Sequence, residues 1–70
     1  MTAEPRLTLR EWSVAERVAR GMSRDEIAED LGLSPNTVRP VIRRLCLLYD
    51  CNAQELPFMI GIRGLGTVET

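Results

Sequence analysis

The sequence predicts an all-α fold: a bundle of three to four helices containing a helix-turn-helix. Three observations carry this. Helix-opening residues stand at Thr8, Ser23 and Ser34, where a side-chain oxygen can satisfy an otherwise orphaned backbone N–H. Apolar residues recur at helical spacing after each of them. Gly21 and Gly32 then stand where the first two helices should stop. Residues 1–62 are expected to form one domain, with helices at about 9–20, 24–31, 35–49 and 53–62, and residues 63–70 a flexible C-terminal tail.

The first helix opens on Thr8-Leu9-Arg10-Glu11, a capping box in which Glu11 reaches back to the Thr8 amide. Leu7 and Trp12 flank it as a hydrophobic staple. Val14, Ala15, Val18 and Ala19 form its apolar stripe, leaving Glu11, Glu16, Arg17 and Arg20 on or near the solvated face. Ser23-Arg24-Asp25-Glu26 is a second capping box, with acids where the helix dipole favours them. Ile27, Ala28 and Leu31 point one way, and Leu33 plugs the turn.

Ser34 caps the third helix, and Pro35 takes the first helical position, where a missing N–H costs nothing. Val38, Val41, Leu45 and Leu48 make the buried stripe. Asn36, Arg39, Pro40 and Arg43 fall together on the opposite face. Asn52-Ala53-Gln54-Glu55 can cap a fourth helix carrying Leu56, Phe58, Met59 and Ile62, although Pro57 and Gly61 weaken it.

Composition narrows the function classes. With 70 residues, 44% of them hydrophobic, the chain makes one small domain that buries only about 60% of its unfolded surface. No apolar run approaches the roughly 18 residues of a membrane span. The N-terminus lacks a signal-peptide layout, so a cytoplasmic protein without a membrane partner is expected. Met1 and its short polar lead-in are what a whole protein would show. Cys46 and Cys51 come with no histidine, which removes the usual Cys/His zinc spacings. Cys46, among leucines, reads as a small buried apolar residue. Neither a nucleophilic triad nor a phosphate-cradling loop can be assembled, so no enzyme, metal or cofactor is expected.

The net charge of −1 is unevenly spread. Residues 34–49 hold Arg39, Arg43 and Arg44 and no acid, whereas the segments before and after are each net negative. A positive field confined to the second helix of a helix-turn-helix suits a helix that enters the DNA major groove.

Leu7-Thr8-Leu9-Arg10-Glu11, Ala19-Arg20-Gly21-Met22-Ser23, Glu26-Ile27-Ala28, Ser34 and Thr37-Val38-Arg39 resemble the LuxR/GerE-type helix-turn-helix domain, without a gap from Leu7 to about Leu45. The resemblance implies a four-helix, LuxR/GerE-like bacterial DNA-binding domain, here a small single-domain transcription regulator associated with the nucleoid. Its third helix would read duplex DNA and its fourth would pair two subunits. Base-reading positions fall on Arg39, Pro40 and Arg43. Asn36 and Thr37 fall near the sugar-phosphate backbone, Ser23 near phosphates by the second helix, and Arg44 completes the basic cluster. Leu47, Leu56, Phe58, Met59 and Ile62 are the candidate dimer or partner surface.

Three departures from that family stand out, one of them the apolar but interrupted segment Leu56–Ile62, where a short or differently placed pairing helix is expected. Pro40, inside the third helix, removes a hydrogen bond to the Asn36 carbonyl and crowds that turn, at a cost of roughly 3 kcal/mol in an ordinary helix interior. A kinked or distorted first part of the helix is therefore expected, with altered base choice. Leu47 and Leu48 stand where the family often has basic residues. They favour a second class of function: a protein-interaction module binding another regulator or RNA polymerase, with a sigma-factor-like promoter reader as its variant.

Overall fold

Three side-chain caps, two of them reciprocal, set where the first three helices begin in the structure, a computed structural model that describes residues 6–68. After a two-residue strand β1 (Arg6–Leu7), the Thr8 hydroxyl accepts the Glu11 N–H at 3.1 Å, and Glu11 Oε1 accepts the Thr8 N–H at 2.9 Å. This capping box opens α1 (Leu9–Ala19). The same exchange between Ser23 and Glu26 opens α2 (Arg24–Leu31). Ser34 caps α3 (Pro35–Tyr49) by accepting the Thr37 N–H.

The three helix ends share one chemistry. Gly21, Gly32 and Asp50 all take left-handed backbone angles (φ +85°, +70° and +54°). The following N–H then bonds back five residues: Met22 to the Arg17 carbonyl, Leu33 to Ala28 and Cys51 to Cys46. That pattern satisfies carbonyls a helix C-terminus otherwise leaves open. Asp50 does this without being glycine, and aspartate is one of the few side chains that enters this region readily.

Three of the four expected helices keep their boundaries to within a residue, but α4 runs Leu56–Arg63 rather than from residue 53. Pro57 explains the shift. In a helix begun at residue 53 it would lie a full turn inside, without an N–H and against the Ala53 carbonyl. Starting at Leu56 places it in the first turn, where it is harmless. Asn52 and Glu55 still exchange backbone-to-side-chain hydrogen bonds, closing the turn ahead of the helix. The expected tail is also partly structured: Arg63 ends α4, and strand β2 (Thr67–Val68) pairs in parallel with β1, Arg6 against Thr67 and Leu7 against Val68.

The core gathers Leu7, Val14, Ala15, Ile27, Val38, Leu45, Tyr49, Leu56 and Ile60, with α1 against α3 and α4, and α2 against α3. Val41, Leu48 and Trp12 are half-buried against it. Tyr49 is fully buried, and its hydroxyl donates to the Gly64 carbonyl at 2.9 Å. Arg63 donates to the Tyr49 carbonyl at 3.3 Å and lies 5.7 Å from the ring centroid. The end of α3 thereby holds the end of α4.

The α3 helix continues through Pro40 to Tyr49 without interruption. Asn36 and Pro40 are both exposed, so water can serve the carbonyl that proline leaves unbonded. The buried face of Val38, Leu45 and Tyr49 stays continuous beneath it. Replacing Pro40 with Asn should restore a backbone bond and stabilise the fold by about 1 kcal/mol or more, a Tm rise of roughly 4–8 °C for a domain this size. Thermal denaturation followed by circular dichroism measures this. An unchanged or lower Tm would show that the proline carries no net cost here.

Candidate nucleic-acid interface

Because α3 buries Val38 and Leu45, its opposite face must meet solvent. Asn36, Arg39, Pro40 and Arg43 are all exposed there, as the periodicity requires, and Arg44 is exposed at its flank toward α1. Their chemical states differ. Arg44 Nε lies 2.7 Å from Glu11 Oε2, tying α3 to the first turn of α1. Arg39 and Arg43 have no ion pair or hydrogen bond among the described residues. Two guanidinium groups are thus uncommitted, each able to bond guanine O6 and N7 together.

Glu11 corrects the sequence expectation of a solvated carboxylate: it is buried, with 7% of its surface exposed. One oxygen caps α1 and the other meets Arg44, so both are used. A buried carboxylate needs such partners to offset its lost hydration. Arg44, expected with the DNA-facing cluster, is engaged internally in this structure.

Thr37 is also partly engaged. Its hydroxyl lies 3.0 Å from the Ser34 hydroxyl within the α3 cap. Ser23 is exposed but occupied by its exchange with Glu26. Arg24, next to Ser23, was not singled out from the sequence. It lies on the wall of the cleft that Arg39 and Arg43 also line. Its one signal was position, at the exposed start of the helix preceding the turn.

The proposed partner surface divides as well. Leu47, Phe58 and Ile62 are 77%, 70% and 63% exposed. Phe58 and Ile62 are four apart on α4 and share a face. Met59 is half-buried against the core. Leu56 is fully buried and belongs to the core, so it cannot contact a partner directly. Leu9, 68% exposed, is a further apolar side chain at the surface.

Burial pushes the Cys46 thiol above its usual range. Cys51 is raised too, by burial first and then by Cys46, Glu55 and Asp50 nearby. Both stay neutral thiols at neutral pH, which disfavours nucleophilic use. Among the described residues no group of three or more His, Cys, Asp or Glu could hold a metal ion, and no helix is long and apolar enough to cross a membrane.

The backbone and hydroxyl of Ser23 hold the Glu26 carboxyl below the usual carboxylate range. A carboxylate with a depressed folded-state pKa contributes stability above its unfolded value and loses it as pH falls through the folded one. The α2 cap should therefore weaken only below about pH 4.5. NMR titration of Glu26 should give a midpoint below that of a free glutamate, returning upward in Ser23→Ala. Because the alanine variant keeps the backbone N–H, the return should be partial, and a wild-type midpoint at or above that of a free glutamate would refute the assignment.

Comparison with known proteins agrees with this geometry. The family model described as bacterial regulatory proteins, luxR family, matches residues 5–46, which include α1, α2 and most of α3. The chain is also similar to the transcriptional regulatory protein UhpA of Escherichia coli (strain K12), 62% identical over 32 residues, 46% of this chain and 16% of that protein. UhpA of Salmonella typhimurium (strain LT2) matches with the same figures. The match thus covers about a sixth of those relatives' own length. No solved structure matches.

Proposed function

Since the chain belongs to the luxR family of bacterial regulatory proteins and carries its helix-turn-helix domain, we propose that it regulates transcription by binding duplex DNA with α3 in the major groove. The observation that carries this reading is the pair Arg39 and Arg43, exposed on α3 and without a partner among the described residues, while the neighbouring Arg44 is held by Glu11. Arg39 and Arg43 reach base edges, and Pro40 between them offers an apolar surface to a thymine methyl. Asn36, Thr37 and Ser23 lie toward the sugar-phosphate backbone, with Arg44 behind them.

Two copies pair through Phe58, Met59 and Ile62 of α4, with Leu47 of α3 beside them. A two-fold dimer then reads half-sites about 10–10.5 bp apart, or a multiple of that. The protein acts on DNA in the cytoplasm and needs no cofactor, and nothing in its chemistry calls for an enzymatic step. The second reading, docking on another regulator or RNA polymerase, is favoured by the net charge of −1 and the exposed Leu47.

Binding to duplex DNA across a salt series tests the first reading. Affinity should fall steeply with salt as counterions are released. On a selected site, Arg39→Ala and Arg43→Ala should each weaken binding by about 1–3 kcal/mol, roughly 5- to 150-fold. No detectable binding by the folded protein at low salt, with the double variant behaving like wild type, would favour the protein-docking reading instead.

Analytical ultracentrifugation tests the pairing. The wild-type chain should sediment as a dimer at high concentration, and Phe58→Asp with Ile62→Asp as a folded monomer. A wild-type monomer at the same concentration would remove the dimer.

A further inference from the structure

Beside the exposed face of α3 lies an open cleft of about 490 Å³. That volume falls within the range of small-molecule sites. Its lining is chemically two-sided. Met22, Ile42 and Pro57 are half-buried along it, above the buried Val18 and Leu56, so the floor is apolar. Arg24, Arg39 and Arg43 are exposed around it, so the rim is cationic. None of the three makes an ion pair or hydrogen bond among the described residues, and no aspartate or glutamate lines the cleft.

This concentration of positive charge stands in a protein whose net charge is −1. Three exposed guanidinium groups around an apolar floor, with no acid partner among the described residues, are available to an anion. From this geometry we infer that the cleft binds a small amphipathic organic anion: an apolar body on Met22, Ile42 and Pro57, with a carboxylate held by the arginines. Arginine suits this role, since its planar fork meets a carboxylate bidentately.

The anion would occupy Arg39 and Arg43, the same side chains proposed to reach DNA bases. Ligand and DNA therefore compete. The competition, though not the ligand binding, rests on the DNA-binding reading.

The test uses 2-naphthoate and its uncharged isostere 2-naphthamide, followed by methyl NMR of the full chain. Naphthoate should shift the Met22 and Ile42 methyl resonances saturably, with a dissociation constant on the order of 1 mM for a ligand this small. Naphthamide should bind about tenfold more weakly or worse, because it loses the charge-assisted bonds. The triple variant Arg24→Gln, Arg39→Gln, Arg43→Gln, confirmed folded by circular dichroism, should show the same loss.

Equal binding of the two compounds would overturn the proposal. So would shifts confined to other methyls, no saturable shift at all, or the same shifts produced by inorganic phosphate. In a DNA-bound sample, release of DNA in step with naphthoate occupancy supports the competition, and DNA retained at full occupancy refutes it. A chain that binds naphthoate but no DNA upholds the cleft and defeats only the DNA-binding reading.

Discussion

The Glu11 carboxylate joins two parts of the chain that are far apart in sequence. Its first oxygen accepts the Thr8 N–H and so fixes where α1 begins. Its second meets the Arg44 guanidinium and so links the start of α1 to α3. Losing the cap alone would cost about 1 kcal/mol. The ion pair adds little by itself, because Arg44 is well exposed and solvent screens it. Its weight lies in geometry. With Glu11 buried at the α1 start, α3 sits in the orientation that turns Val38 and Leu45 inward and leaves Arg39 and Arg43 outward.

The proposed reading surface follows from that constraint. Of three arginines in an acid-free stretch, one is spent on the fold and two remain. The far end of α3 is held independently by Tyr49, through its hydroxyl bond to Gly64 and the Arg63 contacts. Past Pro40 the helix is therefore tied to other elements at Arg44 and Tyr49, and before it the buried Val38 anchors the first turns, so α3 carries Pro40 in its exposed interior without being interrupted. A side chain aimed at a base edge gains from such rigidity, since less freedom is lost on binding.

Legibility in the sequence followed the range of each interaction. Thr8, Ser23 and Ser34 were readable as caps because each bonds three residues away, within one motif. The outward placement of Asn36, Arg39, Pro40 and Arg43 was readable because helical periodicity dictates it. Glu11 was misjudged as solvated because its burial depends on Arg44, thirty-three residues away, in contact only once α1 and α3 pack. The β1–β2 pair was invisible for the same reason: each strand is two residues long and they join opposite ends of the chain. Leu56 was grouped with Phe58 and Ile62 because α4 is apolar around much of its circumference, so periodicity gave no inward face. Packing chose Leu56 and Ile60.

NMR of the arginine Nε–Hε groups, recorded as duplex DNA is added, tests the division of labour among these side chains most directly. The resonances of Arg39 and Arg43 should move as DNA binds, while that of Arg44 keeps its position against Glu11. Movement of Arg44 with Arg39 and Arg43 unchanged would contradict the account.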